Sequence, residues 1–205
     1  MGLREDISRR VLKKLNEHDQ HPSIFYHGSA YLFDRFDIDK IGTGSELNKF
    51  GYGFYFSDTL EQAEYYAYEA SRGKPDAEQW VYEVKLFEID TYLEWEDHIP
   101  ENAHHTISRK LREMGEDEEA DSMDQEYEEY METWSMRSVY EIMSTVFGGA
   151  KETSEFLYQC GIGGVISNAI IHNAKVYTCF SKDRIKIIDR YPSQYSNDPI
   201  IGSKS

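Results

Sequence analysis

The strongest constraint on this chain is how its apolar residues are broken into short pieces. Strand-like runs occur at 24–27, 54–56, 80–87, 164–167, 175–180 and 184–188. In 80–87, Trp80, Tyr82, Val84 and Leu86 alternate with Glu83 and Lys85, which predicts a strand with one apolar face. Helical periodicity lies between the runs. Val139, Ile142, Met143 and Val146 fall at i, i+3, i+4 and i+7, and Gly148 and Gly149 follow as a stop. A further helix is predicted over 153–160. Strands and helices are mixed without a repeated βαβ unit, which predicts an α+β fold and not a doubly wound parallel sheet. No apolar run is long enough to be a membrane helix.

The 205 residues suffice for one domain, predicted over 1–191, with a flexible tail over 192–205 rich in Pro, Ser, Asn and Gly. The first fifteen residues have no apolar signal core. Ile7, Val11 and Leu15 predict an amphipathic N-terminal helix there, and a cytoplasmic location is expected. Cys160 and Cys179 sit in apolar stretches without a ligand cluster, so neither a metal site nor a disulfide is expected. There is no Walker loop, zinc spacing or paired-carboxylate motif.

Charge is unevenly distributed. The chain carries −16, and residues 113–132 hold eleven acids and no base, which leaves −5 for the rest. That run would repel a phosphate backbone and predicts a polar, acidic helical insertion over 98–135, on the surface and away from any cleft. Met123, Tyr127, Tyr130 and Trp134 recur within it at three or four residues, an apolar stripe that keeps a partner-protein site open.

Three stretches carry the chemistry: Phe25-Tyr26-His27-Gly28-Ser29, Gly51-Tyr52-Gly53-Phe54-Tyr55-Phe56-Ser57-Asp58, and Ala63-Glu64-Tyr65-Tyr66-Ala67. Asp58 and Glu61 predict a capping pair for the helix bearing Leu60, Ala63, Ala67 and Ala70. The order of the three stretches resembles the nicotinamide pocket of poly(ADP-ribose) polymerases and diphtheria toxin. The glycine-rich loop 41–53, with 81–84, 92–96, 154–157 and 161–165, resembles more closely the ADP-ribosyltransferase domains of phage and mobile-element polyvalent proteins. The resemblance spans 24–189. It implies the split two-sheet ADP-ribosyltransferase fold, with His27 and Tyr55 on neighbouring strands facing a cleft.

The resemblance also implies NAD⁺ as substrate. Breaking its nicotinamide–ribose bond passes through an oxocarbenium-like state, so the enzyme must clamp nicotinamide, orient the ribose and stabilise positive charge. By resemblance, the Gly28 backbone bonds the nicotinamide amide, and Ser29 adds a hydroxyl near it. His27 donates to the adenosine ribose hydroxyls. Tyr66 stacks on the nicotinamide ring, and Tyr55 forms the opposite wall. Many relatives add a catalytic Glu at the start of a late strand. Here 175–180 resembles that strand, and Val176 stands at the usual position. Asn173 is taken as the third catalytic residue, with His172 and Asn168 as the other polar candidates. The missing Glu implies single-unit transfer in place of polymer elongation, or a pocket that binds NAD⁺ without turnover. Three readings follow. One is a mono-ADP-ribosyltransferase acting on a protein, in a toxin, effector or phage- or defence-related role. Another is a binding module of the same fold. The third is an enzyme on nucleic acid, with Lys182, Arg184 and Lys186 lining the site, against which the net charge weighs.

Overall fold

The computed structural model describes residues 22–42, 49–130, 133–169 and 173–195. The expected N-terminal helix, His172 and the tail from 196 onward lie outside the described residues. Among these residues, seven strands hydrogen-bond in the order β4-β5-β6-β2-β1-β3-β7. They are β1 (Phe25–Ser29), β2 (Phe54–Ser57), β3 (Trp80–Leu86), β4 (Tyr92–Glu94), β5 (Gly164–Asn168), β6 (Lys175–Cys179) and β7 (Ile185–Pro192). All neighbours are antiparallel except β4 and β5. Among the described residues, five α-helices accompany them: α1 (Leu60–Ser71), α2 (Glu101–Met114), α3 (Asp117–Glu129), α4 (Met136–Val146) and α5 (Ala150–Gln159). The α+β class is therefore observed, but as one hydrogen-bonded sheet and not as the two separate sheets expected.

Strand alternation divides the buried residues between two cores. Ile166 faces one core and its neighbour Val165 the other. The first core gathers Phe25, Phe54, Phe56, Tyr82, Val84 and Tyr177, and the β1–β2 connection closes over it with Phe33, Phe36, Ile38 and Ile41. Burial of each large side chain here contributes ~1.5–3 kcal/mol. The opposite face is covered by helices. α1 lies over β1, and α2–α5 form a core with Trp95, Val165 and Phe180 of the sheet side. No helix among the described residues is long and apolar enough to cross a membrane.

The acidic segment is helical, and it is built into this second core. Met123, Tyr127 and Trp134 from the predicted stripe are buried, and Tyr130 is exposed. The acids take the outer side of α3. Arg112 of α2 bonds Asp121 and Asp124 at 2.5 and 3.0 Å. Asp124 also accepts from Ser108 Oγ at 3.0 Å and pairs with buried His104 Nε2 at 2.9 Å. Burial alone would raise the Asp124 pKa, but the bonds from Ser108, Arg112 and His104 hold it below its ordinary value. Gly115, at φ 87, ends α2 in the left-handed conformation that glycine adopts without a Cβ penalty.

One predicted cap is different. α1 is capped at Thr59, one residue after Asp58, with no side-chain cap bond. Asp58 is drawn away by the sheet: its Oδ1 accepts from the Lys175 N–H at 2.8 Å and so ties the end of β2 to the start of β6.

Candidate active site

The site lies where two neighbouring strands part. β1 pairs with β3 over its whole length, from Phe25↔Val84 to Ser29↔Trp80. With β2 it pairs only at Tyr26↔Ser57. Continued pairing would set His27 opposite Phe56 and Gly28 opposite Tyr55, but the ladder stops. In its place, His27 Nδ1–H donates to the Tyr55 carbonyl at 2.8 Å. Beyond that bond, His27, Gly28 and Ser29 have no ladder partner on the β2 side among the described residues. A local opening thus interrupts an otherwise continuous sheet.

His27 points into the aromatic core. Its ring is 5.1 Å from Phe36, 5.7 Å from Phe56, 6.0 Å from Phe33 and 6.1 Å from Tyr82. It is half-buried by surface, yet the surrounding rings dry it. Desolvation lowers its pKa below the ordinary value, outweighing the opposite effect of the Tyr55 carbonyl. A carbonyl only accepts, so Nδ1 carries the proton of the neutral ring and Nε2 is an acceptor. This reverses the expected polarity: a ribose hydroxyl would donate to His27.

Tyr55 leaves β2 on the other side. The register pairs Tyr26 with Ser57 on one face, so Phe56 shares the His27 face and Tyr55 the Gly28 face. The two signature side chains therefore flank the opening from opposite faces of the sheet and do not share one face as expected. The Tyr55 hydroxyl donates to the Gly51 carbonyl at 2.7 Å and accepts from the Phe50 N–H at 3.1 Å. Burial raises its pKa strongly, so it stays a neutral phenol. With its oxygen occupied by the loop, Tyr55 offers a ring face and not a proton.

Gly28 is required by packing. A Cβ there would stand 1.9 Å from the Ala63 carbonyl oxygen and 2.5 Å from the Ala67 nitrogen of α1. The glycine expected to let a ligand approach thus first lets a helix approach. That contact lays α1, which bears half-buried Tyr66, against β1. Burial raises the pKa of Tyr66, as it does that of Tyr55.

The remaining expected residues fare differently. The Ser29 hydroxyl accepts from the Tyr31 N–H at 3.1 Å. Val176 is fully buried in β6, paired with Ser57. Asn173 is exposed in the β5–β6 turn at φ 46, a left-handed conformation that Asn tolerates better than most residues. The β6 partner of Tyr55 is Thr178. Asn173 lies five residues before it, in the turn that leads into β6. Asn168 pairs with Lys175 at the same end of that hairpin.

Two supporting tyrosines were not foreseen. Tyr140 of α4 accepts from the Tyr52 N–H at 2.9 Å and donates to the Ala150 carbonyl at 2.7 Å, and its ring lies against Gly51, which has φ 90. Tyr82 accepts from the Phe33 N–H at 2.6 Å and stacks on Phe33 at 4.1 Å. Together they tether the loops on the two sides of the opening. Neither carries a local motif, because each acts on a segment dozens of residues away.

Two shallow grooves lie elsewhere. One, of 290 Å³, is lined by Glu119, Met123 and Ile142, and the other, of 450 Å³, by Glu78, Trp80 and Tyr195. Neither includes His27, Tyr55 or Tyr66. Among the described residues, no group of three or more His, Cys, Asp or Glu could hold a metal ion.

A mixed α+β domain with a His–Gly strand at a break in the sheet and a tyrosine-bearing helix laid across it is compatible with the ADP-ribosyltransferase class. The family model for the ADP-ribosyltransferase in polyvalent proteins matches residues 17–194, and the chain belongs to that family. No curated protein and no solved structure matches it significantly.

Proposed function

We propose that this protein transfers a single ADP-ribose unit from NAD⁺ to a macromolecular acceptor, most simply a protein. The observation that carries the reading is the break in the β1–β2 ladder, where the neutral His27 and Tyr55 stand on the two faces and Gly28 lies under α1, the helix that bears Tyr66. The residues fit the substrate. Two phenol rings suit a flat cationic pyridinium, gaining apolar burial and cation–π attraction. His27 Nε2 suits a ribose hydroxyl. In the reaction, the bond between nicotinamide and ribose C1′ breaks and nicotinamide leaves with the bonding electrons. The acceptor's nucleophilic atom then bonds C1′ and gives up its proton. Single-unit transfer follows from the apolar, fully buried Val176 at the position where elongating relatives carry Glu. Family membership supports a toxin, effector or phage- or defence-related role.

The same Val176, with Asn173 held in its turn, favours a second reading in which the pocket binds NAD⁺ without turnover. One experiment separates them. The full chain is incubated with NAD⁺ and cell extract, nicotinamide release is measured, and protein and nucleic acid are both scanned by mass spectrometry for added ADP-ribose. Release with labelled protein is expected. Labelled nucleic acid would move the acceptor class, and tight NAD⁺ binding without release would establish the second reading.

A further inference from the structure

We infer that the groove between α3 and α4 binds a basic amphipathic helix of a partner protein. The apolar stripe of that helix rests on Met123, Ile142 and Val146, and its basic flanks face Glu119 and Glu126. The inference does not depend on the NAD⁺ reading.

The groove has a volume of 290 Å³ and takes its walls from two helices, Glu119, Met123 and Glu126 from α3 and Ile142 and Val146 from α4. On α3 the three residues fall at i, i+4 and i+7, so they share one side of the helix. Met123 is buried and forms the floor, whereas Ile142 and Val146 are half-buried and leave apolar surface in the groove. The result is an apolar strip with a carboxylate toward each end.

The charge is uncompensated. α3 carries eight acids and no base. The nearest base in sequence, Arg112, is taken by Asp121 and Asp124. Glu119 and Glu126 are half-buried, and no ion pair reaches either among the described residues. An acid partly shielded from water gains more from a cation placed beside it than a fully solvated one does. Complementarity therefore calls for a basic occupant, and the same field turns a phosphate backbone away.

The shape calls for a helix. Both walls are helices whose backbone groups are already paired, so an extended segment finds no backbone partner there, whereas a helix brings its own hydrogen bonds. From Glu119 to Glu126 α3 rises ~10 Å, about two turns. Over that length an amphipathic helix presents apolar anchors at i, i+3 or i+4, and i+7, flanked by its polar residues. The flexible Met123 side chain can adapt to the anchor set upon it.

The test uses the full chain and a fluorescein-labelled synthetic helical peptide, with leucine at i, i+3, i+4 and i+7 and lysine elsewhere. A second peptide of the same composition scatters the leucines round the helix. Anisotropy at about 0.15 M salt gives the affinities. The first peptide is expected to bind and the scattered one to bind at least tenfold more weakly. Glu119→Gln with Glu126→Gln should weaken the first by on the order of tenfold. Asp117→Asn with Glu128→Gln removes the same charge about 200° round the helix and should change binding less than about twofold. Ile142→Thr should weaken binding several-fold in high salt as well as low, because apolar contact is not screened. The glutamate pair alters surface charge alone and so carries the test even if Ile142→Thr unfolds. Equal binding of the two peptides, or equal losses from the two charge pairs, would overturn the inference by reducing it to net charge. Absence of binding would also overturn it. So would self-association of the wild type that Glu119→Gln with Glu126→Gln abolishes, which would give the groove to a second copy of the chain.

Discussion

The two faces of the sheet are packed by different means. The core around His27 is built mainly from rings, seven of its eleven buried members being Phe or Tyr. The core under α2–α5 is mixed: of its seventeen buried members eight are aliphatic, six are rings and three are methionines, Met123, Met136 and Met143. Rings have few rotamers and interlock edge to face, as Phe36 does with His27, Phe54 and Phe56. Methionine is flexible and fills irregular space. The ring-built core holds the His27 imidazole in one orientation, whereas the mixed core supports helices whose outer side carries the charge. Precision is concentrated where chemistry is proposed.

This contrast can be broken by substitution. The largest effect is expected at Phe56, fully buried between His27 and Phe36. Phe56→Ala should cost ~3–5 kcal/mol in denaturant unfolding, because the surrounding rings cannot collapse into the gap. Gly28→Ala comes next. The added methyl meets α1 backbone and must push helix from strand, an overpacking cost on the order of 3 kcal/mol in the same assay. A loss below about 1 kcal/mol would show that α1 yields easily and that the opening is softer than its geometry.

Acid sharpens the comparison, because each core contains one dried imidazole. Burial lowers the pKa of both His27 and His104, although the Asp124 bond works the other way at His104. A lowered folded pKa means that the unfolded chain binds protons more readily. Stability from both groups is therefore full above the unfolded value of 6.5 and declines as the pH falls below it, by at most ~1.4 kcal/mol per pH unit for each group. Thermal unfolding at about pH 7.5 and about pH 5.5 checks this, and His104→Gln should remove part of the difference. NAD⁺ binding should change with His27 alone, because protonation of Nε2 turns the acceptor of the proposed ribose bond into a donor and sets a positive charge among the rings. The smallest effect is expected at Met123. Met123→Leu in the helical core should cost under about 1.5 kcal/mol, since a volume-conserving exchange there leaves shape nearly unchanged. A cost as large as that of Phe56→Ala would erase the distinction between the cores.

Local patterns in the sequence foretold the parts of the fold that depend on local rules. The alternation of Trp80, Tyr82, Val84 and Leu86 marked β3, and the spacing of Val139, Ile142, Met143 and Val146 marked α4. What escaped depends on distant partners. β4 is three residues long and exists through its pairing with β5, far along the chain. Asp58 reads as a helix cap until Lys175 competes for it. In the site, Gly28 and Tyr66 could be found by their order along the chain, but the opposed faces of His27 and Tyr55 follow from the Tyr26↔Ser57 register. Asn173 was chosen for its chemistry, and its φ of 46 shows a backbone reason for that residue type.

The parallel pairing of β4 with β5 has an evolutionary consequence. The chain leaves the sheet after Glu94 and rejoins it at Gly164 on the adjacent strand. A parallel step of three residues spans only ~10 Å, so both attachment points of the helical layer lie close together. Segments with neighbouring ends are the ones most readily lengthened, shortened or exchanged, because the scaffold registers little of what lies between them. Related chains are thus expected to vary most over 95–163 and to keep 25–86 and 164–192. A graft that swaps the helical layer between two of them would have to keep Tyr140, whose hydroxyl accepts from the Tyr52 N–H in the loop before β2.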